Sequence, residues 1–345
     1  MRNMEFGWAD GKSHPNSSFN FEVNQDIEVR ILDLIKSKID IKESSLKLLF
    51  PSQTPAGSYH LISANKSEFF IRITSRIGDF DLENKFVDYL TSNDVPVNKF
   101  LFGGINFTWN DIFYRIDVRP FLNGYHYSPN IEDFKKLIHG IKIFHKFAKS
   151  FPASQKIRLN QKEISKQKNK TKLKSHKALR DKDFKYFGKY EEWVKKHHIW
   201  LDEILDEFDP HLDQMPNAQC LHGQIHPGNV LFIVDEVVLF DTETSINTFA
   251  PVYWDYSWVF QRFIINQDIE LEDSLPYINF LANSKKDINK LISMTKQNIA
   301  HSVVTVFNYF VNEGILVPQS ELDKFYNNFM SLAKYELFLR EVYEI

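Results

Sequence analysis

The spacing of apolar positions changes character twice along the chain. In NQDIEVRILDLIKSKID, Ile27, Val29, Ile31, Leu32, Leu34, Ile35 and Ile39 recur at mostly helical spacing and predict a helix. SLKLLF, YHLISA and EFFIRITS are then short runs of strand-forming residues, separated by PSQTPAGS and by NKS, and they predict an antiparallel meander. Helical spacing returns in DFDLENKFVDYLTSND, and FYRIDVRPFLNG predicts a further strand that breaks at Pro120 and Gly124. From Ile131 onward the pattern is almost entirely helical. Its exception is a pair of short strands, NVLFIV and VVLFD, around a turn at Asp235 and Glu236. After residue 252 several helices are expected, with loops at DSLPY and EGILVPQSE.

This order predicts an α+β chain of two lobes: a polar segment over 1–25, a small sheet-bearing lobe over 26–120, and a helical lobe over 121–345. One stretch of the second lobe departs from the rest. Residues 153–187 are rich in Lys and poor in apolar side chains, so they cannot form a core by themselves. A solvated insertion or helix face is the simpler reading; a contact surface for an anionic partner or nucleic acid is the other. Nucleic-acid binding would call for stacking aromatics beside the lysines, where only Phe184, Tyr186 and Phe187 stand, and it is set aside.

Bulk composition narrows the classes further. A chain of 345 residues with 43% apolar content can bury a large core, and its formal net charge of -3 gives no global basic field. The single cysteine, Cys220, excludes an intramolecular disulfide and reads as a small apolar filler. The amino terminus lacks the basic start and apolar stretch of a secretion signal, and no run approaches the roughly 20 apolar residues of a membrane span. A soluble, cytoplasmic protein without a membrane partner is expected; the sequence leaves its oligomeric state open.

The chemistry concentrates around HGQIHPGNVLF and VVLFDTE. A hairpin between them brings Asn229 and Asp241 together, and an amide and a carboxylate oxygen suit a hard cation such as Mg²⁺. Taken alone, the pair also describes a capped turn. The two segments together resemble the HGDxHxxN and I/L-D-x-E signatures of the aminoglycoside phosphotransferase and choline kinase-like family, relatives of protein kinases. The resemblance spans about residues 45–265 with its motifs in order. It implies a bilobal protein-kinase-like fold, ATP or GTP as phosphoryl donor, Mg²⁺, and a small-molecule acceptor.

Carried over residue by residue, the resemblance makes Asn229 and Asp241 metal ligands and His222 a structural member of the catalytic loop. Asp255 in VYWDYSW becomes the brace beneath that loop. Arg72 in FFIRIT takes the place of the phosphate-binding strand cation, and Glu83 that of its helical ion-pair partner. Gly57 and Ser58 of PAGSY form a short phosphate-covering turn without a GxGxxG, and Val118 and Phe121 flank the nucleotide near the FLNG hinge. Glu243 is placed near the metal, with a catalytic or a structural role.

Position 224 departs from the family pattern. Gln224 stands where the catalytic Asp is expected, and an amide accepts no proton at neutral pH. Its side-chain oxygen can still accept a hydrogen bond from an acceptor hydroxyl. Three explanations stand: a slow or unusual kinase in which Gln224 orients the acceptor; a nucleotide-binding pseudokinase with a regulatory role; or an acceptor that is already anionic and that a loop carboxylate would repel. For the acceptor, the acidic LDEILDEFDPHLD and the aromatics Tyr253, Trp254, Tyr256 and Trp258 offer a polyamine or choline-like site, weighed against a solvated helix and core packing.

Overall fold

Alternating side chains in the first third of the chain build a five-stranded antiparallel sheet. The computed structural model describes residues 2–3, 25–39, 45–48, 55–75, 78–234, 236–267 and 269–344. Nearly all of the polar start, residues 51–54 of the first turn and Asp235 of the hairpin turn lie outside the described residues. In chain order the first elements are α1 (Gln25–Lys36), β1 (Ser45–Leu48), β2 (Gly57–Ile62), β3 (Glu68–Thr74), α2 (Phe80–Thr91), β4 (Phe102–Trp109) and β5 (Ile112–Pro120). The strands lie in the order β1-β2-β3-β5-β4.

Register divides this sheet into two unlike faces. Tyr59, Ile71 and Val118 lie side by side, as do Ile73 and Ile116, and all pack with Ile27, Ile31 and Ile35 of α1. One residue out of phase, Ser58, Arg72 and Asp117 align, as do His60, Phe70 and Arg119, with Thr74 opposite Arg115. The period of two therefore puts apolar residues against α1 and a charged row on the other face.

β4 is a strand the sequence pattern concealed, because Gly103 and Gly104 interrupt its alternation. A Cβ at Gly103 would come within 2.7 Å of the Phe80 ring, and the register slips between Phe102 and Ile105, so the strand bulges where α2 presses on it.

The remaining elements are α3 (Ile131–Ala148), α4 (Ser154–Arg180), α5 (Glu191–Asp206), the hairpin strands β6 (Val230–Ile233) and β7 (Glu236–Leu239), then α6 (Tyr253–Val259), α7 (Leu271–Leu281), α8 (Lys285–Glu313) and α9 (Gln319–Val342). The loop expected at DSLPY is instead part of α7, which carries Pro276 inside it. Leu271, Leu275, Ile278 and Leu281 recur at helical spacing against the main core and outweigh the one hydrogen bond that Pro276 cannot donate. Among the described residues no helix is long and apolar enough to cross a membrane.

The Lys-rich stretch forms α4, a helix of 27 residues. Much of its inward face is polar: Gln161, Ser165, Thr171, Ser175 and His176 are buried along it. Hydrogen bonds supply part of what apolar contact does elsewhere, Gln161 donating to Ser165 at 2.9 Å and Thr171 to Asn308 of α8 at 3.0 Å. The same seam depresses two basic groups. Burial pushes the Lys168 ammonium down to about 8, and burial, with the charge of Lys168 adding to it, pushes His301 down to about 3.

A pH dependence follows from His301. The native imidazole stays neutral between its ordinary value near 6.5 and about 3, whereas the unfolded chain takes up a proton there. Stability is thus full above pH 6.5 and falls as pH drops toward 3. The stability advantage of wild type over His301→Gln, from urea unfolding, is expected to shrink by about 1.4 kcal/mol per pH unit below 6.5. A pH-independent difference would refute the assignment.

Two backbone seams join the sheet to the helical part. Leu239 of β7 donates to Pro96 O at 2.9 Å, and Phe232 of β6 exchanges 2.9 Å bonds with Tyr125, so the hairpin is held by the chain following α2 and by that following β5.

Candidate active site

The loop at 221–229 is fixed from below by one carboxylate. Asp255, fully buried on α6, accepts from the backbone N–H of His222 at 3.0 Å and of Gly223 at 2.8 Å, and lies 2.8 Å from His145 Nε2 on α3. Gly223 has φ +88° and a Cβ there would sit 2.2 Å from Thr248 Oγ1, so conformation and space both require glycine. His222 is itself fully buried, its Nε2 2.7 Å from Phe240 O. Burial holds its pKa below the ordinary value, which leaves a neutral ring donating to that carbonyl. Its part is structural, linking the loop to the hairpin.

Beyond Gln224 the loop turns on His226, whose Nδ1 accepts from Gly228 N at 3.1 Å. Asn229 then donates its amide hydrogen to Gln224 O at 3.0 Å, and its backbone carbonyl accepts from Phe240 N at 2.9 Å. The Asn229 side-chain oxygen accepts no hydrogen bond among the described residues. Asp241 follows β7 in the left-handed region, φ 61° and ψ 52°, which Asp tolerates better than most residues. Gln224 is half-buried, and its side-chain amide makes no hydrogen bond among the described residues.

Above the hairpin stands the charged face of the sheet. Arg72 Nη1 lies 3.1 Å from Asp241 Oδ2 and Nη2 lies 3.6 Å from Glu243 Oε1. Burial works to lower the Arg72 pKa, and Asp241, Glu243 and, further down, Glu83 and Asp117 together outweigh it and raise it. The expected Arg72–Glu83 pair is not formed. Glu83, buried on α2, is held by Arg115 at 3.0 Å and Arg119 at 3.4 Å of β5 and accepts from Thr242 Oγ1 at 2.9 Å. Burial raises its pKa, with Arg119 and Arg115 opposing. Arg115 also binds Asp117 at 2.7 Å and approaches Glu243 at 4.0 Å. The physical reason is register: Arg115 and Arg119 share the face of Arg72 and reach α2 from a neighbouring strand. Arg115, Asp117, Arg119 and Thr242 are thus members that motif reading missed, although the i, i+2, i+4 charges of YRIDVRP in a buried strand marked a charged sheet face.

Sequence comparison finds no matching family model and no matching curated protein. Solved structures do match. An aminoglycoside phosphotransferase from Alicyclobacillus acidocaldarius superposes with a TM-score of 0.55 at 11% identity, covering 95% of this chain and 98% of that one. A spectinomycin phosphotransferase in complex with ADP and spectinomycin gives 0.54 at 14% identity over 89% and 93%. A choline kinase from Cryptosporidium parvum gives 0.52 at 12% identity over 93% and 97%. The chain has the protein-kinase-like fold.

In this kinase fold the cleft lies between the charged sheet face and the hairpin. Ser58 stands in the same row as Arg72, next to Gly57, and Phe121 stacks on His60 with ring centroids 3.8 Å apart. Phe70 of the sheet meets Phe240 below it, centroids 6.0 Å apart. Val118 does not join them. It is fully buried on the α1 side of the sheet, one residue out of phase with the cleft face, and supports the wall without lining it. Trp254 and Tyr256 are also buried, Trp254 Nε1 donating to Gly223 O at 3.4 Å, which leaves no four-aromatic cage. Cys220 is fully buried, and burial pushes its thiol up to about 12, as an inert filler requires.

Among the described residues no three His, Cys, Asp or Glu side chains are grouped to hold a metal. The free amide oxygen of Asn229 and the carboxylate of Asp241 nevertheless fit Mg²⁺, which binds through one or two protein oxygens and takes the rest from phosphates and water.

Proposed function

We propose that the protein is a phosphotransferase that moves a phosphoryl group from ATP or GTP to a hydroxyl or anionic group of a small molecule. The observation that carries this reading is the convergence, in one cleft, of Arg72, Asp241 and the free oxygen of Asn229 on a loop braced by Asp255. Asn229 and Asp241 would hold Mg²⁺, whose charge offsets that of the donor phosphates. Arg72, already drawn into the cleft by two carboxylates, supplies the cation for the phosphates. Transfer of this kind depends chiefly on positioning and charge neutralisation, which a braced loop and a fixed charge network provide. Gln224 orients the acceptor by accepting a hydrogen bond through its side-chain oxygen.

ATP with Mg²⁺ is expected to raise the unfolding temperature, by an increment corresponding to about 2.7 kcal/mol at a hundred times Kd. Arg72→Gln should abolish most of that shift. No shift of wild type at millimolar nucleotide would sink the proposal. Incubation with a panel of hydroxylated small molecules, read by product mass, then separates transfer from its rival, a nucleotide-binding regulator without turnover. That rival is favoured by Gln224 alone, since no proton acceptor stands at its position.

A further inference from the structure

The Lys-rich helix lines a cavity that the cleft chemistry does not account for. Its volume is about 480 Å³, and its walls are Gln155, Arg158, Leu159 and Lys162 of α4 with Asp213 and Gln214. The α4 residues recur at i, i+3, i+4 and i+7, so one helix face makes one wall. The volume is that of a small-molecule pocket.

Its charge is unlike that of a site for a polyamine or an aminoglycoside. Asp213, with a side chain only 4% exposed, accepts from Arg158 Nε at 3.2 Å. The Arg158 guanidinium also lies over the Phe249 ring, 5.8 Å from its centroid. It is therefore anchored on two sides, while its terminal amino groups make no hydrogen bond among the described residues. Lys162 is exposed one turn further along and has no ion-pair partner among the described residues. Asp213 balances one of the two cations, and the other remains uncompensated beside the neutral amides of Gln155 and Gln214. A fixed guanidinium with free donors next to an ammonium is a receptor for a carboxylate or a phosphate.

We infer that this cavity holds the carboxylate or phosphate group of an anionic acceptor, an inference that rests on the phosphotransferase reading above. Continuity with the catalytic loop supports it. Phe249, beneath Arg158, pairs its backbone with Cys220, and Thr248 packs on Gly223, the neighbour of Gln224. An anionic substrate entering beside this loop meets a neutral amide at position 224, where a carboxylate would repel it.

Inorganic phosphate and citrate serve as probes, titrated calorimetrically into the Arg72→Gln protein so that the nucleotide cleft does not contribute. Both are expected to bind, and Arg158→Gln or Lys162→Gln, added to that background, should each weaken them at least tenfold. Lys162 is exposed on a helix surface, so its variant tests the site without threatening the fold. ATP binding in the single Arg158→Gln and Lys162→Gln proteins should match wild type. Absence of anion binding in Arg72→Gln, unchanged affinity in the added variants, or equal binding of spermidine would overturn the inference. If wild type binds no ATP while the anion site behaves as described, the phosphotransferase reading fails and the oxyanion site stands.

Discussion

A Gln224→Asp variant is expected to phosphorylate a neutral hydroxyl acceptor about 10² to 10⁴-fold faster than wild type, the range a positioned general base contributes. The loop should tolerate the change. What fixes it is the backbone of His222 and Gly223 on Asp255 and the Asn229 amide on Gln224 O, none of which involves the Gln224 side chain. Aspartate is one methylene shorter and enters a half-buried position whose present amide has no partner to lose. The gain should depend on the charge of the acceptor. A new carboxylate about 4 Å from an incoming anion costs on the order of 1 to 4 kcal/mol, depending on how well water screens the pair, and this offsets or reverses the benefit. The measurement is kcat and KM for neutral and anionic acceptors, with the KM for ATP as the control that nucleotide binding is intact. No acceleration with any acceptor would show that position 224 does not limit the chemistry.

How much of this was legible depended on the range of the interaction that decides each feature. The hairpin ends at Asn229 and Asp241, the buried His222 and the brace Asp255 lie within about 35 residues, and their hydrogen bonds close locally, so the motif alone located them. The Arg72–Glu83 pairing failed because the partner is chosen by sheet register. Three arginines share one face, and Glu83 takes Arg115 and Arg119, 32 and 36 residues away in sequence, which motif order does not reveal. Val118 failed on phase: a shift of one residue along a strand moves a side chain to the other face. Gly103 and Gly104 hid β4, because the contact with Phe80 that requires them comes from tertiary packing. In α4 the Lys-rich composition argued against a core contribution, and its buried face is indeed largely polar; the partners that satisfy it, such as Asn308 and Asn312, lie on α8 more than 130 residues away.

Glu83→Ala is expected to destabilise the protein by about 3 to 5 kcal/mol, because it leaves buried guanidinium charge without its carboxylate. The loss falls unequally on the two arginines. Arg115 retains Asp117 at 2.7 Å, whereas Arg119 retains only the carbonyl of Asn98 at 2.7 Å and the Phe100 ring, 4.0 Å from its centroid. A compensating double variant, Glu83→Leu with Arg119→Met, should therefore recover much of the stability, since removing both members of a buried pair costs far less than removing one. A local effect on the cleft should survive that rescue. Thr242 donates to Glu83 at 2.9 Å and stands between Asp241 and Glu243, so losing the acceptor at position 83 frees the segment that presents both carboxylates. The double variant should then fold nearly as stably as wild type while showing a smaller thermal shift with ATP and Mg²⁺. Urea unfolding and nucleotide titration of wild type, single and double variants separate the two roles. A single-variant loss below about 1 kcal/mol would mean that water or another group already screens the two guanidiniums, contrary to their burial.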